Sequence, residues 1–177
     1  MKKIYILLSR TGTLPSKMIH AIKGGSYTHT SIALEARTDR FFSYARRKLN
    51  NILVGGFIVE DIHKGVFSRY PNNQCALYSL EIDEKAYDSI QSQIGYYMEN
   101  YEKATYNISG LLTMIFGKAM KRELKYTCSQ FVAKLLEHSN ATKLPKSSQT
   151  MLPDDFLSLQ GIRLVYKGTL GKCSVSE

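Results

Sequence analysis

The chain has 177 residues, 44% of them hydrophobic and 22% charged, with 24 Lys+Arg against 15 Asp+Glu for a net charge of +9. This composition excludes wholesale disorder and suits one globular domain over residues 1–177 with a single substantial core. The positive balance favours anionic surroundings: nucleic acid, an acidic membrane surface or an acidic polymer.

After Lys2 and Lys3 the apolar run 4–8 is five residues long and stops at Ser9-Arg10, too short for a secretory signal. The stretch 108–116 is about half of a bilayer crossing. Cys75, Cys128 and Cys173 are odd in number and far apart. They predict no disulfide framework and fit a reducing, cytoplasmic setting. No Cys-x-x-Cys or His-x-x-x-His pair is present, so neither a metal nor another cofactor is expected.

In chain order, the β-rich segment 2–8 predicts a strand. Leu14-Pro15-Ser16 opens a helix with Met18, Ile19 and Ile22 on one side, stopped by Gly24-Gly25. Strands are expected over 27–34, over 41–45 after a polar turn at 37–39, and over 52–59. Gly55-Gly56 inside the last of these marks a bulge or a close backbone approach. A fourth strand of this set spans 74–82. Asp83 is a good N-cap, and Tyr87, Ile90, Ile94, Tyr97, Met98 and Tyr101 follow at helical spacing as a core-facing stripe. Shorter helices are predicted over 108–120 and 127–139, another begins at Pro153-Asp154-Asp155, and a last strand covers 162–166. Strands first, helices second and a closing strand describe an α+β fold.

Cys128 stands at a predicted helix start, in Tyr126-Thr127-Cys128-Ser129-Gln130-Phe131. The helix dipole and the unpaired first-turn N–H groups favour a thiolate there. The same amides suit an oxyanion. The alternative is a small buried apolar residue. Cys75 falls in an apolar strand and Cys173 in a polar tail. A nucleophilic thiol needs a base. His29 begins a strand in which His29, Ser31, Ala33 and Glu35 share one face. His20 lies within a helix, His63 in a polar loop and His138 at a helix C-terminus, so His29 is the best-placed base.

The His29 segment, followed by strands and then by Tyr126-Thr127-Cys128-Ser129-Gln130-Phe131-Val132 at a helix start, resembles the circularly permuted branch of the NlpC/P60 papain-like superfamily, the YiiX/LRAT-like group. In that branch the His strand precedes the Cys helix. Residues 42–47 and 55–61 also look like stretches of bacterial members. The resemblance spans about residues 4–168. It implies an antiparallel sheet packed against helices, and a cysteine hydrolase that cleaves an amide, peptide or ester through an acyl-enzyme. It also implies a third polar residue on the strand after the His strand. The matching position is Ser43, a departure from the family's usual His, Asn, Gln or Glu, with Glu60 as the fallback. Lipid acyl transfer by the same pair is a variant of this reading.

The alternative is a binding module with an inert thiol. Arg37, Arg40, Arg46, Arg47 and Lys48, with Tyr44 among them, and Lys118, Lys121, Arg122 and Lys125 could hold an anionic partner, whether nucleic acid or phospholipid. No nucleic-acid fold signature accompanies them. The apolar stretch 108–120 fits either a core segment, a cover over a cleft, or contact with an anionic membrane.

Overall fold

A computed structural model of the chain describes residues 1–10, 25–48, 51–65, 67–106 and 124–174. The expected helices near Leu14 and over 108–120, together with His20, Lys118, Lys121 and Arg122, lie outside the described residues, as do the side chains of Arg46 and Lys48.

Among the described residues the core of the fold is one mixed sheet. Its six long strands are antiparallel: β1 (Lys2–Ser9), β2 (His29–Ala33), β3 (Phe41–Lys48), β4 (Asn51–Glu60), β5 (Gln74–Ile82) and β8 (Arg163–Thr169). Two short strands, β6 (Thr105–Tyr106) and β7 (Lys125–Tyr126), pair in parallel and extend one edge, giving the order β7-β6-β4-β3-β2-β1-β5-β8. Among the described residues two α-helices accompany the sheet, α1 (Glu84–Glu99) and α2 (Cys128–His138). The α+β expectation therefore holds at the level of an antiparallel sheet with few helices.

Period-two alternation divides the central strands between two apolar clusters. Ile4, Ile6, Leu8, Ile32, Phe42 and Tyr44 point to the helices and meet Ile90, Ile94, Phe131 and Leu135. Tyr5, Leu7, Ala33, Phe41, Cys75 and Leu77 point the other way, against Ile62, Phe67, Leu170 and Cys173. Each fully buried Leu, Ile or Phe here stabilises the fold by roughly 1.5–3 kcal/mol.

Four sequence-based expectations need correction. The α1 stripe is buried at Ala86, Ile90, Ile94 and Tyr97 but not at Met98 or Tyr101, which are exposed. The helix ends at Asn100, so Tyr101 leaves the helical register. Tyr44 is fully buried between Phe57, Tyr97, Tyr126 and Phe131 and offers no ring to a base. Cys173 is not in a solvated tail but in the second core cluster. The segment beginning at Pro153 is a 3-10 turn, Pro153–Ser158.

The close approach expected at Gly55-Gly56 occurs at Gly56: a Cβ there would sit 1.9 Å from the Ala104 carbonyl oxygen. The Phe57 N–H donates to that same oxygen at 3.0 Å. Arg47, assigned above to a cationic face, is also spent inside the fold. Its guanidinium lies 3.8 Å from the Tyr101 ring centroid and donates to the carbonyls of Tyr101 and Ala104. Arg37 pairs with Glu35 and Asp39, and Arg40 stacks over Phe42. Anion capture by this cluster is therefore weakened residue by residue.

Candidate active site

The site begins with the capping of α2. Thr127 is the N-cap with extended backbone, its hydroxyl accepting from the Gln130 N–H at 3.3 Å, while the Gln130 side chain accepts from the Thr127 N–H at 3.0 Å. This reciprocal capping box sets the helix start at Cys128. The first backbone bond of the helix runs from the Phe131 N–H to the Thr127 carbonyl. The N–H groups of Cys128 and Ser129, in the first turn, thus have no intrahelical acceptor. The helix start is tied down laterally as well. The Ser129 hydroxyl donates to the Met151 carbonyl, and the Gln130 amide donates to the Gln149 carbonyl, both at 2.7 Å.

Thr127→Ala should cost about 1 kcal/mol, the usual worth of an N-cap. The expected result is a melting temperature lower by about 2–4 °C for a chain of this size, with α2 itself retained by its buried face. Thermal unfolding followed by circular dichroism checks it.

The other half of the site comes from the sheet face opposite the helices. The chain enters β2 with Ser26 and Tyr27 N–H groups held by the Asp154 carboxylate at 2.7 and 3.0 Å. In β2, Ser9 of β1 lies opposite His29. Ile32 pairs with Phe42, and Phe41 pairs with Glu60 at the end of β4. Alternation then puts His29, Ser31, Ser43 and Glu60 on one face.

Only some of these meet. The His29 Nε2–H donates to the Glu60 carboxylate, 2.9 and 3.0 Å from its two oxygens. Ser31 completes a triangle: its hydroxyl lies 3.2 Å from His29 Nε2 and donates a short hydrogen bond to Glu60 Oε2. The Phe67 ring stands edge-on to the imidazole at 5.8 Å. Ser43 takes no part. It is fully buried, and its hydroxyl donates to the Thr30 carbonyl at 2.7 Å. The expected orienting residue is therefore corrected from Ser43 to Glu60, because a strand hydroxyl next to a carbonyl of the neighbouring strand satisfies itself locally. Ser31 was not singled out from the sequence, although its place on the His29 face was the available signal.

Cys128 neighbours the same imidazole and acts on its proton affinity as a nearby charge. With Nε2 turned to Glu60 and Ser31, Nδ1 is the ring nitrogen left for sulfur. Burial by itself would disfavour the imidazolium. The Glu60 carboxylate and the Cys128 sulfur outweigh it, and His29 is pushed up from 6.5 to about 10. The pair lies close beneath the surface, with Cys128 4% and His29 7% exposed. His63 and His138 are exposed and distant in role, in keeping with their positions in a loop and at a helix end.

No cluster of three or more His, Cys, Asp or Glu able to hold a metal occurs among the described residues. None of the described helices is long and apolar enough to cross a membrane. No family model matches the chain, and no curated protein matches it.

Proposed function

We propose that this protein is a cysteine hydrolase of the permuted papain-like type, acting on an amide, peptide or ester carbonyl through Cys128 and His29. The single observation that carries this reading is the placement of Cys128, at the start of a capped helix, beside a Glu60-anchored imidazole. The resemblance in chain order, His strand before Cys helix, supports it independently.

The steps follow from the geometry. Cys128 sulfur, as thiolate, attacks the acyl carbon. The oxygen that becomes negative is stabilised by the first-turn N–H groups of Cys128 and Ser129. His29, held protonated by Glu60, gives its Nδ1 proton to the leaving amine or alcohol. The neutral imidazole then takes a proton from water, which attacks the thioester and frees the acid. Glu60 orients the ring through Nε2 throughout. With an alcohol or lipid acceptor in place of water, the same sequence becomes acyl transfer.

The opposing observation is burial, since a structural thiol would also be nearly inaccessible. Alkylation of the native chain with iodoacetamide at neutral pH separates the two. Cys128 is expected to label well ahead of Cys75 and Cys173. In the double variant His29→Ala/Glu60→Gln, which avoids leaving a buried carboxylate alone, labelling of Cys128 is expected to slow about tenfold or more, the effect of removing one neighbouring opposite charge. Equal labelling of all three thiols, or no change in the double variant, refutes the hydrolase reading.

A further inference from the structure

Cys75 lies in β5, opposite Ser9 of β1 on one side and Gly168 of β8 on the other. Past β8 the chain makes a 3-10 turn, Leu170–Lys172, clamped onto the loop before β5. The Leu170 N–H donates to the Asn73 carbonyl and the Gly171 N–H to the Pro71 carbonyl, both at 2.8 Å. The turn closes with the Cys173 N–H on the Leu170 carbonyl at 3.0 Å, and Cys173 folds back into the apolar cluster that contains Cys75. Both thiols are free, and both are buried in the same apolar cluster, near enough to act on one another's proton affinity.

Both are almost wholly buried, at 1% exposed for Cys75 and 2% for Cys173, but their surroundings differ. Cys173 lines a cavity of about 290 Å³, together with Arg37, Asp39 and His63. Cys75 lies behind it in the strand and does not line that cavity. We propose that Cys75 and Cys173 form a peroxide-reactive dithiol, in which Cys173 meets the oxidant from the cavity and Cys75 resolves the product to a disulfide.

The chemistry balances with hydrogen peroxide as the oxidant. The Cys173 thiolate attacks one peroxide oxygen, the O–O bond breaks, and Cys173 becomes a sulfenic acid as hydroxide leaves and is protonated to water. The Cys75 sulfur then attacks the Cys173 sulfur, the S–O bond breaks, and a second water carries away the oxygen and the Cys75 proton. Two thiols and one peroxide give one disulfide and two waters. The division of labour has a physical basis. The neighbouring Cys75 thiol lowers Cys173 below the ordinary thiol value, whereas Cys173 and burial raise Cys75. Negative charge is therefore favoured on Cys173, the sulfur that lines the cavity, over Cys75. Cys75 stands in register with His29 across Ser9 of β1, and the proposal does not need Cys128 to be a nucleophile.

The test uses the full chain carrying Cys128→Ser, so that Cys75 and Cys173 are its only sulfhydryls. After one equivalent of hydrogen peroxide under native conditions, both free thiols are expected to disappear. Non-reducing digestion should yield a single linked peptide pair, the chain's solution mass should stay unchanged, and dithiothreitol should restore both thiols. Adding Cys75→Ser should leave Cys173 as a sulfenic acid captured by dimedone. Adding Cys173→Ser should leave Cys75 reduced at the same peroxide dose. Two thiols that persist in the folded chain under excess peroxide overturn the proposal, as does linkage only between molecules. Oxidation of Cys75 at an undiminished rate without Cys173 overturns it too.

Discussion

Glu60→Ala is expected to lower the stability of the chain by about 3 kcal/mol at pH 7, because it removes one partner of a buried ion pair and leaves the other without compensation. For a chain of this size that corresponds to a fall of roughly 10 °C in melting temperature. Both side chains are about nine-tenths buried, at 9% exposed for His29 and 10% for Glu60, so solvent screens the pair little. The variant also changes the pH dependence, and the sign is fixed by His29. Its folded value, about 10, lies above the ordinary 6.5, so the folded state holds an extra proton between those limits. The stabilisation it supplies is complete below pH 6.5 and is lost as pH rises toward about 10. The native chain should therefore lose stability across that window. In Glu60→Ala burial acts on His29 without its main counter-charge, and that slope should flatten. Urea unfolding at several pH values between 6 and 10 measures it. An unaltered slope shows that Glu60 does not hold the imidazole protonated.

The second large effect belongs to sulfur. With an activated aryl ester such as p-nitrophenyl acetate, the native chain should release a burst of nitrophenol as the thioester accumulates. Cys128→Ser should abolish the burst and lower turnover by ~10³-fold or more, as loss of a nucleophile does in enzymes with an assisting imidazole. The substitution is small, and Cys128 makes no core contact comparable to Phe131, so the folded state should survive, as circular dichroism can verify. Mass spectrometry of the quenched native reaction should find the acetyl group on Cys128. A burst retained by Cys128→Ser, or acetyl found only on lysines, excludes this thiol as the nucleophile.

The site was legible in unequal parts. The start of α2 could be read because Thr127 and Gln130 are three residues apart and cap each other; the interaction is contained in four consecutive residues. Asp83 in front of α1 is similar, its carboxylate accepting from the Ala86 N–H at 2.7 Å. His29 as the base came from strand alternation combined with chain order. The orienting residue did not come through. Ser43 and Glu60 share a face with His29, and only the register of β3 against β4 and the local capture of the Ser43 hydroxyl by Thr30 decide between them. Tyr44 looked like a stacking ring among arginines because neighbouring charges are visible in a sequence, whereas the side of the sheet it enters is not.

By itself the sequence determined the α+β character, the limits of β5 and α2 and the helix-start setting of Cys128. Each rests on interactions or periodicities spanning a few residues, which the chain carries wherever it folds. Only the tertiary structure decided that Glu60 holds His29, that Cys128 neighbours the same ring, and that Cys173 returns to lie against Cys75. Those meetings join positions tens of residues apart, and their geometry is set by strand register and by how the turn after β8 is clamped, quantities to which no single segment contributes enough energy to be read alone.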